Sequence, residues 1–196
     1  MWLKSKELTF DVSVKYAGKK HIYAGKSDDG FATLLVEDSK AGFQFYRRYM
    51  GGKAAVCVSA GSNTAIFPYL TNHKTSSTFV IADGAAFGAE MNRIFELIRH
   101  APGNIILCLP ESFEWLILKS GLVHADRLEA VLSQPSTYID SSKFMNWEQF
   151  FADYLIGVSN NTPYQYQKSH INPYFLIPAN MEKIIREIDL PDSEKS

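Results

Sequence analysis

Four short apolar runs dominate the first half of the chain: 31–37 (FATLLVE), 54–60 (AAVCVSA), 77–83 (STFVIAD) and 104–110 (NIILCLP). Each is followed by a segment whose apolar residues recur at helical spacing: 41–50, 63–70, 90–100 and 112–121. Strands of five to seven apolar residues separated by helices predict a mostly parallel sheet covered on both faces, because a strand buried on both sides has no reason to alternate with polar residues. Gly51-Gly52 and Pro102-Gly103 supply stop signals for two of the helices.

The flanking regions read differently. Residues 8–23 alternate polar and apolar, with Phe10, Val12, Val14 and Tyr16 on one face and Ala17-Gly18-Lys19-Lys20 as a turn, which predicts a β-hairpin. Beyond residue 121 the strand pattern stops. HADRLEAVLS, NWEQFFADYLIG and MEKIIREI read as helices between polar loops. The expected organisation is an N-terminal hairpin over 1–29, an α/β core over 30–125 and a helical extension over 126–196 packed on the core.

Of the 196 residues, 46% are hydrophobic and 21% charged, which suits a globular chain that buries its core without a disulfide or metal staple. Cys57 and Cys108 both lie in apolar runs, and no histidine flanks them at ligand spacing, so they read as buried strand residues. The segment MWLKSKELTF lacks the apolar stretch of an export signal, and no apolar run approaches the ~20 residues that span a bilayer. A cytoplasmic location with no membrane contact is the expectation. Twenty basic against 21 acidic residues give a formal charge of −1, so a nucleic-acid partner would have to be held by a local basic patch or by metal ions. Nucleotide-binding fingerprints are incomplete: Gly25-Lys26-Ser27 has Lys20 where a phosphate loop needs glycine, and Gly84 and Gly88 do not complete a dinucleotide motif.

Parallel sheets place their chemistry at the carboxyl ends of the strands. Here those ends carry Glu37-Asp38, Ser59-Ala60-Gly61, Asp83-Gly84 and Pro110-Glu111. Carboxylates converging on one crevice repel each other unless a cation lies between them, and hard oxygen donors favour Mg²⁺ or Mn²⁺. The competing reading is that these acids cap the helices that follow, where Asp and Glu are favoured anyway.

The order of these segments resembles the TOPRIM module of topoisomerases, primases and small nucleases. LLVED resembles its opening strand with glutamate, and AVCVSAGSNTAI its second strand and glycine turn. VIADGAAFGAEMNRI resembles its third strand with the D-x-D-x-x-G signature, and LCLPESFEWLIL the fourth strand and acidic helix start of the OLD-type nuclease branch. The likeness covers about residues 31–123. It implies a TOPRIM-like Rossmannoid fold with a four-stranded central sheet, and metal-assisted phosphodiester chemistry. On that likeness Glu37 would serve as general acid/base or metal ligand and Asp83 would hold Mg²⁺ or Mn²⁺. Ala85 stands where the second aspartate of the signature belongs, and Asp38 where the glycine after the glutamate belongs. Glu90, two residues past Gly88, is a candidate substitute ligand. Glu111 and Glu114, three apart and on one face of a helix if that segment is helical, are candidates for a second site.

Two functions follow as expectations. One is a Mg²⁺-dependent nuclease built on Glu37 and Asp83. The other is an inactive TOPRIM-like scaffold or regulatory subunit that binds nucleic acid or a protein, with an ATPase and a second copy of the chain among the candidate partners. Tyr164, Tyr166, Lys168 and His170 add an aromatic-basic cluster suited either to stacking on single-stranded bases or to packing the tail on the core. Arg47, Arg48 and Lys53 are either phosphate contacts or a solvated helix face.

Overall fold

The computed structural model describes residues 13–17, 20–24, 31–73, 77–84, 87–100, 105–140, 142–188 and 190. Phe10, Val12, the polar turn at 26–30, Ala85 and the tail beyond 190 lie outside the described residues.

The core is α/β. Strands β3 (Thr33–Val36), β4 (Val56–Ser59), β5 (Thr78–Ile81) and β6 (Ile105–Leu109) form an all-parallel four-stranded unit in the order β6-β5-β3-β4. The predicted hairpin is present as β1 (Ser13–Ala17) and β2 (Lys20–Ala24). It pairs antiparallel with β6 and extends the sheet to six strands. Seven α-helices are described: α1 (Ala41–Tyr49), α2 (Asn63–Asn72), α3 (Met91–His100), α4 (Phe113–Lys119), α5 (Leu128–Ser133), α6 (Trp147–Ser159) and α7 (Pro178–Ile185). This arrangement is consistent with a Rossmann-like fold. Among the described residues no helix is long and apolar enough to cross a membrane.

The apolar runs become strands because each has two buried faces to fill. Leu34, Val36, Phe79, Ile81 and Cys108 point to one side, where Phe45 of α1, Leu116 of α4, Phe151 of α6 and Ile184 of α7 complete a large core. Leu35, Val80, Ile105, Leu107 and Leu109 point to the other, against Ile66 of α2 and Ile94 of α3. The C-terminal helices therefore belong to the same hydrophobic body as the sheet. Cys108 is buried, whereas Cys57 is half-buried because β4 is the sheet's edge strand, and Val56 beside it is 62% exposed. Burial pushes the Cys57 thiol up to about 12, which leaves it unreactive at neutral pH.

The strand order fixes where a crevice can form. From β3 the chain crosses through α1 to β4 on one side, while from β5 it crosses through α3 to β6 on the other. The crossover helices α1 and α3 lie on opposite faces of the sheet. The loops leaving the neighbouring strands β3 and β5 thus diverge and open a cleft at their carboxyl ends. Glu37 and Asp83 stand at those two ends.

Candidate acidic site at the strand ends

A cleft of about 370 Å³ opens at this switch point, lined by Glu37, Asp38, Asp83, Glu114, Glu148 and Lys168 together with the Gly61–Asn63 turn. A larger apolar groove of about 660 Å³, bordered by Trp115, Leu118, Leu128 and Leu132, contains none of the strand-end carboxylates.

Glu37 follows β3 directly, and its N–H continues the parallel ladder to Ile81 O at 2.9 Å. Its Oε2 accepts the main-chain N–H of Asp83 at 2.9 Å, which ties the two strand ends together. Burial raises the Glu37 pKa, partly offset by the Asp83 amide; the Glu148 and Asp38 carboxylates raise it further. Asp83 is held well above the usual aspartate range by burial and by the Glu114 and Glu37 carboxylates nearby. The Gly84 N–H donates to Pro110 O at 2.6 Å, and a Cβ at Gly84 would lie 3.0 Å from that oxygen. The glycine after the aspartate therefore allows the β5 and β6 ends to close on each other.

Asp38 has a different task. Its Oδ1 accepts from Lys40 N–H at 2.8 Å and its Oδ2 from Gly42 N–H at 2.7 Å, so both oxygens cap the start of α1. The capping reading holds for this acid even though it borders the cleft.

Glu114 enters from the first turn of α4 and is 3% exposed. Its Oε1 accepts the Tyr166 hydroxyl at 2.8 Å. Burial raises its pKa; Lys168 and the Tyr166 bond act in the opposite direction. Glu148, in the first turn of α6, accepts a hydrogen bond from Lys168 Nζ. For Lys168, burial favours the neutral amine, but the bond to Glu148 and the neighbouring Glu114 outweigh it and raise the pKa. The lysine is therefore an ammonium at neutral pH.

Lys168 is carried by a strap over residues 159–172 that is fastened on both sides. Tyr166 N–H donates to Ser159 Oγ, Ala41 N–H to Lys168 O, Gln44 Nε2 to Ser169 O, and Ile171 N–H to Gln44 Oε1. The aromatic-basic cluster accordingly divides. Tyr166 is buried, Tyr164 packs on Tyr174 with ring centroids 5.5 Å apart, and only Lys168 enters the cleft. The tyrosines pack the tail onto the core.

Of the five sequence-derived site residues, the fold brings Glu37, Asp83 and Glu114 into one cleft. Glu90 is not among its lining residues; it precedes α3 and pairs with Arg93 at 3.2 Å. Glu111 is outside the cleft as well. Ser112 is the N-cap of α4, accepting Trp115 N–H at 3.1 Å, so Glu111 precedes the helix and the three-residue spacing to Glu114 does not put them on one helical face. Arg47 and Arg48 occupy the far end of α1 from the Asp38 cap, roughly 10 Å along the axis. Glu148 was missed by sequence reasoning, and Lys168 was picked out only within the aromatic-basic cluster, not as a partner of the strand-end acids.

The donor set suits a hard cation in kind: three carboxyl groups of raised proton affinity would be relieved by one. Among the described residues, however, no group of three or more His, Cys, Asp or Glu side chains is gathered closely enough to hold a metal ion as it stands. The fold and cleft define an α/β protein with an acidic crevice at its topological switch point. No protein-family model, curated protein or solved structure matches the chain.

Proposed function

We propose that the chain is a TOPRIM-like nuclease that hydrolyses phosphodiester bonds using Glu37 and Asp83, with Mg²⁺ or Mn²⁺ drawn to that pair. The observation that carries this reading is the Glu37–Asp83 pair at the switch point, tied by one hydrogen bond and joined in the same cleft by Glu114. An ordinary structural loop has no use for a buried Glu114 and a half-buried Glu37 whose carboxylates both raise the pKa of Asp83, and clustering of perturbed acids marks candidate functional sites. A bound divalent ion would offset phosphate charge and lower the pKa of a coordinated water. The chain's own residues contribute the rest. Lys168 presents an ammonium to a phosphate oxygen, and Glu37, with the proton affinity of a buried acid, exchanges a proton with the nucleophile or leaving oxygen.

A second reading is favoured by a specific feature, the ion pair between Lys168 and Glu148. It supplies the cleft with a resident cation, as an inactive scaffold would need. Such a protein would serve as a regulatory subunit for a nucleic acid or a protein such as an ATPase, as a homodimer or alone.

Titration calorimetry with Mg²⁺ and Mn²⁺ on the wild type and Asp83→Ala separates the two. Binding that disappears in the variant, followed by metal-dependent cleavage of DNA or RNA, is the expected result. A wild type that binds neither ion at millimolar concentration would leave the scaffold reading.

A further inference from the structure

Adjoining the cleft, with which it shares Glu37, Asp38, Asp83 and Phe113, is a much smaller cavity of about 10 Å³ that also touches Tyr46 and Pro110. That is about the space of a single water-sized sphere, at the lower limit of what one water occupies. Tyr46 is 1% exposed, and among the described residues no hydrogen-bonding partner lies within reach of its hydroxyl. Its ring is fixed by Phe45 and Phe113, with centroids 5.3 and 5.7 Å away, so the phenol cannot swing out to find one.

A buried hydroxyl without a partner costs about as much as a lost hydrogen bond, and in native proteins such groups are almost always satisfied by protein or by ordered water. The cavity offers what a water requires. Its lining combines the side chains of Tyr46, Glu37, Asp38 and Asp83 with the apolar Val36, Ile81 and Phe113, and a buried water needs two to four polar partners. Asp38 has already committed both oxygens to the start of α1, and Glu37 Oε2 is committed to Asp83 N–H. Burial, with Cys108, Asp83 and Asp38 nearby, keeps the Tyr46 phenol protonated far above its ordinary range, so it acts as a donor.

We infer that one structural water occupies this cavity, accepts a hydrogen bond from the Tyr46 hydroxyl and donates to the carboxyl groups of Glu37 and Asp83. The inference rests on the cavity and the hydroxyl, and it stands whether or not the adjoining cleft takes a metal.

Tyr46→Phe tests it, because the variant removes the hydroxyl and keeps the ring. In wild-type protein carrying labelled tyrosine, the Tyr46 ring protons should show a nuclear Overhauser effect from long-lived water that is missing in the variant. The variant should also melt lower, by roughly 2–4 °C, the change that loss of one ordinary hydrogen bond produces in a domain of this size. A variant that melts higher would mean that the hydroxyl was a true orphan, and absence of the water signal in the wild type would equally overturn the assignment. A crystal structure that orders solvent should show a water about 2.7–2.8 Å from Tyr46 Oη; an empty cavity there would refute it.

Discussion

The main-chain N–H of Asp83 donates to Oε2 of Glu37 at 2.9 Å, across 46 residues of sequence. This bond joins the ends of the two central strands at the point where their crossovers part. It also favours the ionised form of a glutamate whose proton affinity burial raises. For Asp83, burial and the Glu114, Glu37 and Glu148 carboxylates raise its proton affinity, and the Lys168 ammonium only partly offsets them.

Replacing Asp83 with asparagine should therefore separate stability from metal binding. Removing a half-buried, repelled carboxyl is expected to raise the thermal midpoint at pH 8 by about 2–4 °C, equivalent to roughly 1 kcal/mol. Divalent-ion binding by calorimetry should be lost in the same variant. A destabilised variant that still bound metal would contradict both the burial and the ligand assignment.

The pH dependence has a definite sign. Glu37, Asp83 and Glu114 have folded pKa values above the ordinary 4.5, 3.8 and 4.5. The folded state then binds more protons than the unfolded state between those ordinary values and the raised ones. Their contribution to stability is complete below the ordinary values and is lost as pH rises through the folded ones. Urea denaturation of metal-free protein should show stability falling as pH rises above the ordinary carboxylate range. Mg²⁺ or Mn²⁺ should restore more of it at pH 8 than at pH 5, since the ions compete with protons.

Gly42→Ala should unfasten the start of α1. A Cβ there would lie 2.7 Å from Asp38 Oδ2 and 3.3 Å from Phe113 Cγ. The carboxylate is the group able to yield, and yielding costs it the Gly42 amide. A loss of about 1–2 kcal/mol, typical of a removed cap, is expected from denaturation midpoints with an unchanged slope. In an Asp38→Ala background the same change should cost much less, because the two share one interaction.

Tyr166→Phe leaves the buried Glu114 Oε1 without its hydroxyl donor. The expected cost is about 1–3 kcal/mol by chemical denaturation. Glu114→Gln should cost less, since its amide oxygen still accepts that hydroxyl and a buried charge is removed. Equal losses in the two variants would show that this bond is not what matters.

Lys168→Met removes the ammonium from the cleft while keeping the aliphatic stem. If the lysine acts as counter-ion to Glu148 and Glu114, Mn²⁺ should bind about tenfold more tightly, or roughly 1.4 kcal/mol. Weaker or unchanged Mn²⁺ binding would exclude that role.

The sheet was legible because its strands are buried on two faces and so appear as unbroken apolar runs. Glu37 and Asp83 were legible because the strand ends they mark are local in sequence. Glu114 could be read from an acidic helix start, but Glu111 could not be told from it without knowing that Ser112 is the cap. Glu90 has a plausible spacing from Asp83, yet it precedes a helix on the other face of the sheet and pairs with Arg93. Glu148 carries no local signal, and the aromatic-basic cluster that marks Lys168 does not place it beside the strand-end acids. The place of Lys168 depends on a strap held by Ser159, Gln44 and Ala41, which are contacts that no periodicity encodes.

That strap has a consequence for the order of synthesis. The strand ends and Glu114 are made early, but the lysine that balances them and the tyrosine that anchors Glu114 come more than fifty residues later. A growing chain thus has its sheet in hand before its cleft is neutralised. Until residue 168 has emerged from the ribosome, three crowded carboxyl groups face water without a built-in counter-ion. Completion of the cleft is thereby linked to completion of the last third of the protein.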